Sequence, residues 1–220
     1  MKSPAHIASR RGFTLIELLV VITIIAVLAG LVMSQGPKMM EEARKLEVRN
    51  VIISVTTGIR NYQVEYNRFP IDPALASSGG GDDAQPVLTD QNSSIVDTLM
   101  GDAARMPGST GGGGGNGTIN LNPKGIEFVT FKVAKNGVNG LVGAQSPYSL
   151  LDMWGSPFRV LLDTNLDRKL VNPDIQNQDP KISQNQASPP PQFLPTDVAV
   201  YSTGKDLVQL TGDDIVSWRE

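Results

Sequence analysis

The chain contains no cysteine, which rules out disulfides, thiolate metal ligands and a cysteine nucleophile, and leaves packing or a bound ion to hold the fold. Histidine occurs once, as His6, so everything after it lacks an imidazole for zinc or for a catalytic triad. Aromatic residues make up only 5% of the 220, which suits one modest core in a single globular head with extra segments. A net charge of −3 gives no positive field that would favour nucleic acid. There is no repeat of fixed period. The glycine tract at 108–117 lacks the Lys-Ser/Thr and the flanking strand of a phosphate loop.

What is present begins with an apolar run at 13–33, about 21 residues that span roughly 31 Å as a helix, close to the hydrocarbon thickness of a bilayer. Lys2, Arg10 and Arg11 precede the run, and the far flank is mixed in sign, with Lys38, Glu41, Glu42, Arg44 and Lys45. The positive-inside rule therefore places the short leader in the cytoplasm and the remainder outside. Glu17 interrupts the run. A carboxylate there costs about 2.5–3.5 kcal/mol on insertion, so it needs a partner or a proton. A cleavable secretory signal would use the small residues around Val27, Leu28 and Ala29, but the run continues through Gly30, Leu31 and Val32. A plain signal anchor leaves Glu17 without a purpose.

Residues 10–18, Arg-Arg-Gly-Phe-Thr-Leu-Ile-Glu-Leu, resemble the processing site of type IV pilins and type II secretion pseudopilins. The resemblance implies a prepilin peptidase that cuts after Gly12 and methylates the new terminus at Phe13. It also implies that Glu17 neutralises the amine of a neighbouring subunit during assembly, so that neither charge is buried alone. Loss of Lys2, Arg10 and Arg11 takes the side-chain charge from −3 to −6, that is, −3 minus 3.

Beyond Gly36 and Pro37, which weaken or kink a helix, apolar residues recur at Val48, Ile52, Val55, Ile59, Tyr62, Tyr66 and Phe69. Spacings of four and three mark one helical face against which the head packs. Asn67-Arg68-Phe69-Pro70 is similar to the helix-ending motif of major pseudopilins, and Pro70 accounts for the stop. Those proteins carry a proline about three residues earlier than Pro37.

Residues 71–122 read as loops by composition, with a short helix expected at 93–105 capped by Ser93. Short strands are expected at 126–134, 158–162, 169–171, 198–201 and 215–218, and a long surface connection at 176–195. The expected fold is α+β, a long N-terminal helix packed on a small antiparallel sheet with long loops. Its divisions are a leader at 1–12, a transmembrane and polymerisation helix at 13–35, an amphipathic continuation at 36–70, a variable Gly-rich region at 71–150 and a C-terminal sheet with an acidic closing loop at 151–220.

The C-terminal part resembles the major pseudopilin head in Asp152-Met153-Trp154-Gly155-Ser156-Pro157 and in the closing loop, Tyr201 to Asp206 followed by Gly212-Asp213-Asp214-Ile215 and Ser217-Trp218. The resemblance covers about 10–70 and 151–218. It implies calcium held by Asp206, Asp213 and Asp214, with a backbone oxygen from Thr203. A second acidic loop, Asp163-Thr164-Asn165-Leu166-Asp167 running on to Lys169 and Asp174, has EF-hand spacing, but Arg168 stands where that loop needs glycine. A polar hairpin turn is the simpler reading there.

Catalysis is not expected. Asp82 and Asp83 sit among Gly and Ser with nothing apolar to raise a pKa, and the head has no histidine to activate a hydroxyl. The expected function is a structural subunit of a type II secretion pseudopilus. The alternatives are the major subunit of a surface type IV pilus serving adhesion, motility or DNA uptake, and a membrane-anchored binding module that never polymerises. The absence of cysteine and the closing loop favour the pseudopilus. The partners this implies are further copies of the chain, prepilin peptidase, inner-membrane assembly proteins, minor pseudopilins and the membrane. The implied location is the inner membrane, single-pass, with the head outside the cytoplasm. Two Asn-x-Ser/Thr sequons are also present, Asn92-Ser93-Ser94 and Asn116-Gly117-Thr118.

Overall fold

The computed structural model describes residues 13–72, 85–101, 121–144 and 147–219. The leader with Gly12, the Asp82-Asp83 pair, both glycine tracts, the Asn116 sequon and the end of the helix expected to reach Arg105 lie outside the described residues.

Helix α1 spans Leu15–Tyr66 and runs on through Pro37, where a weakening or kink was expected. Proline has no N–H to give, so one backbone acceptor four residues back lacks its helical donor, at the end of the apolar run. The chain divides into two compact units, 1–43 and 44–220. In the first, apolar side chains from Phe13 to Met33 are exposed around the whole helix, the pattern of a segment meant for an apolar surround. Among the described residues, α1 is the one helix long and apolar enough to cross a membrane.

In the second unit, α1 buries the predicted face: Val48, Ile52, Val55, Ile59 and Tyr62 are all at most 2% exposed. Each such side chain removed from water is worth about 1.5–3 kcal/mol, so this stripe is a main anchor of the head. The helix ends before Pro70. Asn67 adopts φ 50° and donates its N–H to Gln63 O at 2.8 Å, a left-handed C-terminal cap for which asparagine is suited.

The main sheet is antiparallel in the order β1 (Val87–Leu88), β4 (Arg159–Leu162), β7 (Val198–Ser202), β8 (Ile215–Val216). The register Val160↔Val200 and Leu162↔Val198 turns those side chains, with Ile215, toward the α1 stripe. The alternate residues Leu161, Ala199, Tyr201 and Val216 form a second cluster on the other face with Leu170, Leu194 and Trp218. Both faces are thus buried, and the second is covered by the excursion between β4 and β7. That excursion contains β5 (Leu170–Val171) paired with β6 (Phe193–Leu194), a 3-10 turn Pro173–Gln176 and a short helix Pro180–Ser183. It is more ordered than the surface connection expected at 176–195. Asn172-Pro173 and Asp179-Pro180 start its two turns, each polar side chain accepting from the N–H two residues on.

Residues 126–134 do not form a ladder strand. The segment runs extended, donates from Phe128 and Val129 to Leu99 O, and packs on the core; within it only Val133 bridges, to Leu141. The small hairpin of this region is instead β2 (Gly140–Val142) with β3 (Ser149–Leu151). Helix α2, Ile95–Leu99, is wholly buried and stops short because Gly101 takes φ 76° with Gly125 O only 2.9 Å from where a Cβ would sit.

Candidate functional site

Two places carry the residues singled out by sequence, and the first is the start of α1. Glu17 Oε2 accepts from the Thr14 N–H at 2.9 Å and from Thr14 Oγ1 at 2.8 Å, while the Glu17 N–H donates to Thr14 Oγ1 at 3.3 Å. This is a capping box, and its Thr-x-x-Glu signature stands in the sequence, though the acid draws attention there for its charge. A single chain therefore gives the Glu17 carboxylate a neutral hydrogen-bonding partner but no cation among the described residues. Phe13, the residue that would follow the cut, is exposed immediately before it.

The second place is the closing loop, fixed to the sheet by a buried polar network. Asp152 Oδ1 accepts from the N–H groups of Trp154 and Ser156 at 2.8 and 2.9 Å, and its Oδ2 accepts from Ser202 Oγ at 2.6 Å. Thr203 Oγ1 donates to Ser156 Oγ at 2.9 Å, and the Gly204 N–H donates to Ser202 Oγ. The two motifs of the C-terminal half are thus two sides of one joint. Gly204 has φ 66°, and a Cβ there would lie 2.5 Å from Asp213 O, so only glycine lets the loop close on itself.

Within the loop, Asp213 Oδ2 accepts from the N–H of Lys205 at 2.8 Å and of Asp206 at 3.1 Å. Asp214 Oδ2 accepts from the N–H of Leu210 at 2.7 Å and of Thr211 at 3.3 Å. Thr211 Oγ1 lies between the two acids, 2.7 Å from Asp213 Oδ1 and 3.3 Å from Asp214 Oδ1. Burial pushes the Asp214 carboxyl up to about 6 against its hydrogen bonds, and the charge of Asp213 adds to the shift. Burial also works to raise Asp213, but the bonds from Thr211, Asp206 and Lys205 outweigh it and hold that carboxyl below its usual range. Asp206 is exposed at the loop edge, with Oδ1 accepting from the Val208 N–H and its carboxyl reaching that of Asp213. Thr203 is fully buried, its hydroxyl taken by Ser156. Lys45, Arg49 and Arg219 line a cleft of about 220 Å³ with Asp213 and Asp214.

An oxygen-only donor set suits a hard cation such as calcium. Asp213 neighbours Asp214 through Thr211 and Asp206 through its own carboxyl, yet among the described residues no group of three or more His, Asp or Glu side chains is placed to share a metal ion. In the other acidic loop, Asp163 accepts from the N–H groups of Asp167 and Arg168, and Leu166 and Arg168 take φ 63° and 62°. Asp174 bonds Trp218 Nε1 at 2.8 Å and faces Arg219 Nε at 3.2 Å. This is a polar turn but not the expected hairpin, since β4 pairs with β1 and β7 while β5 pairs with β6, and its twelfth-position acid is committed elsewhere.

The model of the prokaryotic N-terminal methylation motif matches residues 7–33. Type II secretion system core protein G of Pectobacterium carotovorum subsp. carotovorum is 38% identical over 61 residues, 28% of this chain and 39% of that protein, so the match spans well under half of either. Neither match is to an enzyme. No solved structure matches. The chain carries the prokaryotic N-terminal methylation motif and shares homology with a core protein of type II secretion systems.

Proposed function

We propose that this chain is a pseudopilin, a structural subunit that is cut after Gly12, methylated at Phe13 and polymerised into a filament of a type II secretion system. The observation that carries this is an apolar helix exposed on every side, within the methylation motif, bearing one carboxylate at its first turn. In a bilayer such a surface is satisfied by lipid; outside it, only other copies of the same helix supply an equally dry surround. Glu17 then exchanges the Thr14 hydrogen bonds for the amine of an incoming subunit, which neutralises both charges where water is absent. The leader faces the cytoplasm and the head the far side of the inner membrane, where assembly proteins and minor pseudopilins meet it.

In the same reading the closing loop takes calcium. Asp213 and Asp214 hold it, Asp206 moves in from the loop edge, and Thr203 gives a backbone oxygen. Bound there, the ion neutralises two adjacent carboxylates and ties β8 to the sheet.

The N-terminus tests the core of the proposal. Purified envelope protein should begin at methylated Phe13 and form fibres visible by electron microscopy, and Gly12→Val should leave the leader attached. A mature chain beginning at Gly30 would show an ordinary signal peptide and end the pseudopilin reading.

A further inference from the structure

The Asn92 sequon lies in the head, and its geometry suits a modification site. Asn92 is exposed at the tip of a turn that the Ser93 N–H closes onto Asp90 O at 3.1 Å. Its backbone N–H donates to Asp90 Oδ1 at 3.0 Å, and its side-chain Nδ2 donates to Asp90 Oδ2 at 3.1 Å. The amide nitrogen of an exposed side chain is thereby fixed with a carboxylate on one of its hydrogens.

The serine two positions on is equally telling. Ser94 is the N-cap of α2, a position where serine normally spends its hydroxyl on a helical N–H, yet it makes no side-chain cap bond. Ser93 takes that work, its Oγ accepting from the Ile95 N–H at 3.2 Å. The hydroxyl that an Asn-x-Ser acceptor must offer is thus uncommitted, and the middle residue is not proline. Beneath the turn, all five residues of α2 are buried, so the acceptor sits on a fixed base.

We propose that Asn92 is an acceptor for N-linked glycan, taking an oligosaccharide from a lipid diphosphate carrier through a membrane-bound transferase. The proposal rests on the reading that places the head outside the cytoplasm. In the transfer, Asn92 Nδ2 bonds the anomeric carbon of the first sugar, the bond from that carbon to the diphosphate oxygen breaks, and the lipid diphosphate leaves. The proton lost from Nδ2 passes to a carboxylate of the transferase, and nothing is oxidised or reduced. Asp90 prepares the nitrogen by accepting one of its hydrogens beforehand.

The test uses full-length protein purified from its native envelope, with intact mass and the tryptic peptide 69–105 measured together. The expected result is a sugar mass on Asn92, lost in Asn92→Gln and in Ser94→Ala but kept in Ser94→Thr. Ser94→Ala removes only an unused hydroxyl, so the fold should stand. A bare Asn92 on chains that begin at methylated Phe13 overturns the proposal, as does a sugar that survives Asn92→Gln and therefore sits on a serine. Bare Asn92 on chains whose heads resist protease added outside intact spheroplasts overturns the placement of the head, and the proposal with it.

Discussion

Glu17 has one observed task and one proposed here, and a single substitution separates them. As the fourth member of a capping box it accepts from Thr14, which glutamine also does; as the partner of a terminal amine it must carry charge. Glu17→Gln should leave helicity and membrane insertion unchanged yet reduce filament yield nearly as far as Glu17→Ala, scored by sedimentation and microscopy. Wild-type fibre yield with glutamine would leave capping as its whole role. Asp214 makes a prediction through pH. Its folded pKa, about 6, exceeds the 3.8 of an ordinary aspartate, so the folded form holds the proton longer. The stability this confers is complete below about pH 4 and is lost as pH rises through 6, a swing that solvent screening of the partly buried carboxyl holds to about 1–2 kcal/mol. Without calcium, Asp214→Asn should raise the Tm at pH 7.5 and flatten its dependence between pH 4 and 6. If calcium occupies the loop, wild-type head should gain Tm on adding the ion and lose it to chelator, and Asp213→Ala should show neither change. A wild-type Tm indifferent to both additions would remove calcium from the loop.

Helices and strands were legible in the sequence where a period governs burial. The four-three stripe from Val48 to Tyr62 is the buried face of α1, and β4, β5, β7 and β8 fall within the runs of apolar and β-branched residues that announce them. Elsewhere the same signals served other ends. The alternation at 126–134 reflects packing of Phe128 and Val129 on the core rather than a ladder, and sequence does not distinguish the two. The Asn136-Gly137 turn, φ 55° and 76° between Lys135 and Val138, carries the Asn-Gly signature of a tight hairpin, a signal independent of any burial period. At the candidate sites, the acids of the closing loop stand out in the sequence, but the joint of Asp152 with Ser202 and of Ser156 with Thr203 does not, because only the register of β4 on β7 brings those segments together. Asn122 shows the same limit. Fully buried, it donates to Thr98 O and Ile126 O and accepts from Tyr66 Oη, which clips the end of α1 to α2. Asn122→Ala strands several buried polar groups at once and should lower stability by about 2–4 kcal/mol in denaturant unfolding; a change under 0.5 kcal/mol would show that water replaces the amide freely.

The head holds together without a disulfide because its sheet is covered on both sides, by α1 on one face and by the excursion carrying Leu170 and Leu194 on the other. The arrangement is vectorial, since β7, one of the two central strands of the sheet, belongs to the last part of the chain, and its neighbours β4 and β8 lie on either side of it in sequence. In the proposed topology the head emerges N-terminal part first and can form the α1 stripe early, but the cluster over that stripe is complete only when residues 198–216 join Leu99, Leu150 and Val160. Contacts this distant in sequence are slow to close, so synthesis and translocation finish before the fold does. A chain ending at Asp197 should accordingly show α1 helicity by circular dichroism but no cooperative melt. Nascent heads would spend that interval with an apolar face uncovered, which makes the time between leaving the translocation machinery and docking β7 the stretch of the subunit's life most in need of a chaperone's protection.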